Sequence, residues 1–147
     1  MTQVYYGQEN YLTGGNDPNN REALWDHGYN GNDLIKTLNK LRSTEISKNP
    51  KYVTTRATYL YNDSYQLFYQ KGNILVGLNG QGEQRNIPPY ELTVQKTTYS
   101  AADALIEILS CANVTPGAGG VTVTMQNGAP VVLYPKSKLI GTGICGF

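Results

Sequence analysis

Hydrophobic and polar positions alternate with a period of two along most of the chain after residue 52. The alternating runs are short and rich in Val, Leu, Thr and Tyr, and Asn-Asp-Ser, Lys-Gly-Asn and Asn-Gly turn signals separate several of them. The runs that predict strands are residues 58–61, 65–69, 74–78, 92–94, 121–124 and 131–134. This spacing predicts an antiparallel β-sandwich of about 95 residues that begins near residue 50.

The chain before residue 50 has a different pattern. A short apolar run at residues 2–6 predicts a strand, and the polar, glycine-rich stretch that follows, to residue 32, predicts a long loop. A helix is then predicted over residues 33–47, with Asn32 or Asp33 as its cap and Pro50 beyond its end. Apolar residues recur on one face of this helix, at Leu34, Ile35, Leu38, Leu41 and Ile46. The region is therefore predicted to be one βα unit without partner strands.

Composition narrows the class of protein. Lys and Arg number 12 against 11 Asp and Glu, and no basic or acidic run occurs. This balance argues against nucleic acid or an anionic membrane as a partner. Low charge with 16 Gly and 12 Tyr is typical of a secreted β-rich protein. Residues 1–6 show neither the basic region nor the apolar stretch of a signal sequence, and no apolar window is long enough to span a membrane.

Two further features bear on whether the protein is extracellular. Asn62-Asp63-Ser64 and Asn113-Val114-Thr115 fit the pattern of N-glycosylation acceptors. Cys111 and Cys145 lie 34 positions apart, without metal-ligand spacing. By the residues alone, these cysteines are either a disulfide or two separate buried thiols.

The candidate chemistry is limited. His27 is the one histidine, and beside Asp26 in a polar loop it is predicted to be a solvated side chain and not part of a catalytic triad. One His and two distant Cys predict no zinc site. The strongest signal is Asp17 and Arg21 with Trp25, because a carboxylate, a guanidinium and an aromatic ring are the groups that hold a sugar. The alternative is a loop-closing salt bridge with Trp25 packed behind it.

These same residues carry a resemblance to a known family. Residues 5–9, the run from 14 to 18, Asn20-Arg21-Glu22 and Trp25 resemble the end of the catalytic barrel in fungal-type α-amylases of glycoside hydrolase family 13. The resemblance continues through residues 45–48 and 132–135. It implies that residues 1–49 are the eighth strand, active-site loop and eighth helix of a (β/α)₈ barrel. Residues 50–147 would then be a Greek-key C-terminal β-domain.

The resemblance also implies roles for individual residues. Asp17 and Arg21 match the residues that bind substrate in these enzymes, and Cys111 and Cys145 match a disulfide. It further implies a strand in residues 104–109, although the run from Ala101 to Leu109 is helical by propensity. The implied activity is endo-hydrolysis of 1,4-α-glucosidic bonds in starch or glycogen, with retention of configuration.

The sequence departs from the family in lacking its catalytic carboxylate motifs, so we expect no catalytic residue in this chain and no activity from it alone. The calcium ligands of the family also lie upstream, and Met1 is expected to be an internal methionine, an artificial start or the start of a truncated gene. The expected partner is an α-1,4-glucan, with no nucleic acid or membrane. The parent enzyme is expected to be extracellular and monomeric.

Two alternatives remain open: another family 13 enzyme, such as an α-glucosidase, and a non-catalytic α-glucan-binding sandwich. Four tyrosines could form a stacking platform for the second, but their alternation favours packing in the core: Tyr59, Tyr61, Tyr65 and Tyr69. In the isolated chain we expect residues 1–32 to be poorly ordered and the helix to expose Leu34, Leu38 and Leu41.

Overall fold

The computed structural model describes residues 7–10, 12, 15–17, 22–28, 31–82 and 87–147. The chain forms two units, Met1–Lys40 and Leu41–Phe147, which divide inside the helix α1, Asp33–Lys48. The strand expected at residues 2–6 lies outside the described residues. The assignment of residues 1–49 to a barrel and of 50–147 to a separate domain therefore stays a prediction.

The described part of the first unit consists of short turns and the start of α1. Residues Gln8–Asn10 and Leu24–His27 form single turns of 3₁₀-helix. Asn32 caps α1, because its side-chain oxygen accepts a hydrogen bond from the backbone N–H of Leu34 at 2.8 Å. The polar loop predicted between the apolar run and the helix thus contains local helical turns.

The described residues of the second unit form eight strands. They are β1 Thr58–Asn62, β2 Gln66–Lys71, β3 Ile74–Asn79, β4 Tyr90–Val94, β5 Leu105–Glu107, β6 Asn113–Val114, β7 Val121–Met125 and β8 Val131–Pro135. Six of them match the runs predicted from the alternation. The strand implied at residues 104–109 is confirmed as β5, and its helical propensity is overridden because Leu105 and Ile106 are buried beside β8.

The strands form two antiparallel sheets. One has six strands in the order β1-β2-β3-β8-β5-β6, and the other pairs β4 with β7. Residues from both sheets form the core, and β7 shows the pattern clearly, because its valines and methionine are buried while Thr122 and Thr124 are exposed. The core contains Phe68, Leu75, Val94, Leu105, Val121, Val123, Met125, Val131 and Leu133. The predicted antiparallel β-domain is confirmed.

The other face of the six-stranded sheet is also covered. Val132 and Tyr134 are buried although they alternate with the core residues of β8, so β8 is buried on both faces. Leu41 is only 1% exposed, and the expectation that the isolated chain exposes it is wrong. The reason is that the C-terminal turns of α1 belong to the same unit as the sheet.

A disulfide links two distant parts of the second unit. Cys111 and Cys145 are bonded, with their Cα atoms 5.3 Å apart. The bond ties the segment before β6 to the 3₁₀ turn Ile144–Gly146 at the end of the chain. Of the two readings of the cysteines, the disulfide implied by the resemblance is the one present.

Among the described residues, no helix combines the length and the apolar character that crossing a membrane requires.

Candidate functional site

The predicted sugar-binding pair lies in the first unit. Asp17 occupies a turn and is exposed, and Arg21 is outside the described residues. Trp25, in the 3₁₀ turn Leu24–His27, is 68% exposed. Its ring is therefore not packed behind a salt bridge, as the alternative interpretation of this loop required.

The same loop contains a contact between an imidazole and a carboxylate. Nε2 of His27 lies 3.3 Å from a carboxylate oxygen of Glu22, and both side chains are partly exposed. His27 also lines an open cleft of about 530 Å³ together with Glu9, Asn10 and residues 31–34. Carboxylates, amides and an imidazole around an open cleft can bind hydroxyl groups, but they do not form a catalytic triad among the described residues.

The second unit contains a buried carboxylate, Glu45, near the end of α1. Its side chain is 0% exposed. One carboxylate oxygen accepts hydrogen bonds from Nδ2 of Asn49 at 3.0 Å and from the backbone N–H of Asn73 at 3.0 Å. The other accepts from the hydroxyl of Tyr134 at 2.7 Å, and Nδ2 of Asn73 donates to both. Glu45 thus joins α1, the β2–β3 turn and β8.

Neutral donors, and no cation among the described residues, stabilise the charge of Glu45. Burial opposes ionisation and alone raises the pKa of this carboxyl. The hydrogen bonds from Asn49, Tyr134 and Asn73 favour the ionised form and outweigh burial, so the pKa of Glu45 lies below its ordinary value of 4.5. For the partner, burial and then the bond to Glu45 raise the pKa of the Tyr134 hydroxyl. The group is therefore a carboxylate paired with a neutral phenol at neutral pH.

The sequence contains a signal for Glu45 that the helix analysis missed. Leu34, Leu38 and Leu41 follow one another at spacings of four and three, and the next position on that face is 45. A carboxylate at a position where the pattern calls for an apolar residue indicates either exposure or a buried polar cluster. The partners at positions 73 and 134 are distant in sequence, so the pattern alone could not choose between the two.

The depressed pKa predicts acid sensitivity. The folded state binds the Glu45 proton less tightly than the unfolded chain does, so its stabilisation is complete above about pH 4.5 and is lost as the pH falls through the lowered folded-state pKa. Urea unfolding between pH 7 and pH 3 should show a shallower loss of stability in Glu45→Gln than in the parent chain. Parallel acid profiles for the two proteins would contradict this assignment.

Gly72, in the β2–β3 turn, packs closely against the Glu45 carboxylate. Its φ is +57°, and a Cβ atom there would collide with Oε1 of Glu45 and lie 3.0 Å from the Tyr52 ring. We expect Gly72→Ala to destabilise the protein by about 2–3 kcal/mol, from backbone strain plus the clash. Gly141→Ala is the matched control in the same chemical denaturation experiment, because Gly141 has φ +77° with open space around it. Equal losses in the two variants would show that the carboxylate is not crowded.

The predicted tyrosine cluster is mostly on the surface. Tyr59 is 74% and Tyr65 is 51% exposed, Tyr61 is also exposed, and Tyr69 is half-buried. The expectation that these residues pack in the core is wrong for the first three. Tyr59 and Tyr61 are exposed because they lie on the edge strand β1, whose residues are exposed at four of five positions, and Tyr65 is exposed in the turn before β2.

The described side chains form no cluster of metal ligands. Within residues 7–82 and 87–147, as far as they are described, no group of three or more His, Cys, Asp or Glu could hold a metal ion. These residues therefore do not fit a calcium site, and no chemical step is assigned to one here.

The two antiparallel sheets and their shared core place the second unit among the β-sandwich domains. Residues 59–147 match the family described as "Alpha-amylase, domain C". The chain belongs to the alpha-amylase family.

Similar proteins extend the match beyond domain C. Over 97% of its length the chain is 38% identical to "Alpha-amylase 1" of Schwanniomyces occidentalis and 40% identical to "Alpha-amylase 1" of Lipomyces kononenkoae, covering 29% and 24% of them. The solved alpha-amylase from Malbranchea cinnamomea superposes with a TM-score of 0.87 at 35% identity, over 97% of this chain and 31% of that one. The chain thus spans about a third or less of the length of the relatives that it matches.

Proposed function

We propose that the chain is the C-terminal part of an α-amylase that hydrolyses internal 1,4-α-glucosidic bonds of starch or glycogen. The observation that carries this proposal is that the matches to α-amylases cover 97% of the chain, including the polar loop before α1, and are not restricted to residues 59–147. Residues 1–49 would supply the last βα unit of the catalytic barrel, and residues 50–147 the C-terminal β-domain. We further propose that the enzyme is extracellular and monomeric.

In this proposal no residue of the chain performs bond cleavage. Cleavage with retention needs two closely spaced carboxylates, which would lie in the barrel outside this chain, as would the calcium ligands. Asp17 and Arg21 would bind glucose hydroxyls and position the substrate for that chemistry. The exposure of Asp17 and of the Trp25 ring is consistent with such a binding loop.

A chimaera tests the proposal. The part of the Schwanniomyces occidentalis enzyme that precedes the matched region is joined to this chain, and release of reducing ends from starch is measured. We expect the chimaera to fold and to hydrolyse starch. We also expect it to cleave an oligosaccharide whose non-reducing end is blocked, because such a substrate can be cut only at internal bonds. A soluble chimaera with native circular dichroism but no starch hydrolysis would overturn the proposal, and terminal release of glucose by the natural full-length protein would favour an α-glucosidase.

The binding pair makes a sharper prediction in the same chimaera. Arg21→Ala and Asp17→Asn should each lower kcat/KM for starch by about 10- to 100-fold, since each removes charge-assisted hydrogen bonds that hold the substrate. Glu91→Gln and Arg42→Lys are the controls, because both residues are exposed and belong to the second unit. Equal activity of the loop variants and the controls would remove Asp17 and Arg21 from the substrate site.

The exposed tyrosines favour a second candidate, a sandwich that binds α-glucan without cleaving it. Tyr59 and Tyr65 offer exposed aromatic faces on which a sugar ring can stack. Calorimetric titration of this chain with maltoheptaose separates the candidates. Saturable binding that is lost in Tyr59→Ala and Tyr65→Ala supports the second candidate. If no binding is detected, the second candidate is excluded and the amylase proposal is the one that remains.

A further inference from the structure

The six-stranded sheet ends in two edge strands. Among the described strands, β1 pairs with β2 alone and β6 pairs with β5 alone. An edge strand presents backbone N–H and C=O groups that can pair with a strand of another chain, so proteins protect such edges with bulk, charge or a covering segment. Both edges of this sheet therefore need something that prevents pairing with a strand of another chain.

Both edges carry the same sequence feature. Asn62 is the last residue of β1 and Asn113 is the first residue of β6, and each begins an Asn-x-Ser/Thr tripeptide. Both asparagines are exposed. The chain contains no other such tripeptide. The two acceptor tripeptides thus fall on the two edge strands of the six-stranded sheet.

At β6 the tripeptide faces outward. Val114 packs against the core, while Asn113 and Thr115 on either side of it are exposed, as strand alternation requires. Asn113 and Thr115 also line an open groove of about 720 Å³, whose other walls include Thr122 and Thr124 of β7. A glycan on Asn113 would have room in this groove and would lie along the edge of β6.

At β1 the tripeptide spans the end of the strand. Oδ1 of Asp63 accepts hydrogen bonds from the backbone N–H groups of Tyr65 and Gln66, both at 2.7 Å, and closes the turn. Oδ2 of Asp63 accepts from the hydroxyl of Tyr61 at 2.8 Å. The turn is therefore held by the aspartate, and among the described residues the carboxamide of Asn62 has no structural partner that a glycan would displace.

We propose that Asn62 and Asn113 are N-glycosylated and that the two glycans cover the two edges of the six-stranded sheet. The transfer takes an oligosaccharide from a lipid diphosphate donor. A C–N bond forms between the sugar and the carboxamide nitrogen, the C–O bond to the diphosphate breaks, and the amide proton passes to solvent. This inference rests on the extracellular location in the proposed function. The hydrated, bulky chains prevent edge-to-edge pairing between copies.

Glycosylation of the two asparagines is tested by expressing this chain, fused to an N-terminal secretion leader, in the secretory pathway of a yeast. Electrophoresis before and after endoglycosidase H should show two glycans, one lost in Asn62→Gln, one in Asn113→Gln and both in the double variant. Thr115→Ala should lose one glycan and Thr115→Ser should keep it, and Ser64→Ala and Ser64→Thr form the same pair at β1. Absence of either glycan from cell extract and medium overturns the proposal.

The protective role is tested after folding. The glycosylated protein is purified and trimmed under native conditions, and sedimentation velocity is measured over a range of concentrations. Trimmed protein should associate as concentration rises while untrimmed protein stays dispersed, and equal behaviour of the two overturns the role. Location is tested separately by fractionating cells that make the natural protein, so a natural protein retained inside the cell counts against the proposed function while the acceptor test still stands.

Discussion

Glu45→Ala is expected to destabilise the second unit by about 3–5 kcal/mol, one of the two largest effects predicted here. The substitution removes the acceptor for the Tyr134 hydroxyl and for the backbone N–H of Asn73. Tyr134 is fully buried, so its hydroxyl would be left without a partner in an apolar layer. Urea denaturation at pH 7, followed by tyrosine fluorescence and circular dichroism, measures the loss.

Two variants show whether the hydrogen bonds cause this effect. Glu45→Gln keeps the shape and part of the acceptor capacity, and it should lose about 1–2 kcal/mol. Glu91→Gln, at an exposed position of β4, should change the free energy of unfolding by no more than about 0.5 kcal/mol. If Glu45→Ala and Glu91→Gln were equally stable, the buried cluster would not contribute to folding.

Strands were predictable where alternation is long enough to be read. β7 is the clearest example, since five residues alternate between the core and solvent. β6 was missed because two residues show no period, and β5 was assigned from the family resemblance against its own propensity. The environment that makes β5 a strand is β8, which lies some 25 residues later and which no local window includes.

The candidate site was predictable to a smaller extent. Exposure of a residue on an edge strand depends on topology, which is why Tyr59 was expected in the core and lies on the surface. The environment of Glu45 also depends on the tertiary fold and could not be predicted from the sequence. Its place on the apolar face of α1 was visible, but its stabilisation comes from Asn73 and Tyr134, which only folding brings to it.

The second large effect concerns the disulfide. Replacing both Cys111 and Cys145 by Ser should destabilise the second unit by about 3–4 kcal/mol, the chain-entropy value for closing a loop of this length. The sequence separation of 34 residues includes β6, β7 and β8, so the unfolded chain gains freedom over much of the domain. Denaturant unfolding measures the loss, and a reductant should weaken the parent chain while leaving the double variant unchanged.

Backbone conformation refines this expectation. Cys111 and Cys145 have φ of 60° and 52°, a region that non-glycine residues enter at a cost, so relaxation without the bond should offset about 1 kcal/mol and place the measured loss at about 3 kcal/mol. The remaining loss should be uneven along the chain. Leu139 and Ile144 are buried in the terminal segment that the bond holds, whereas β8 is also held by β3 and β5. Hydrogen exchange in the double variant should therefore accelerate more in residues 139–147 than in β8, and equal acceleration would mean that the bond stabilises the domain only as a whole.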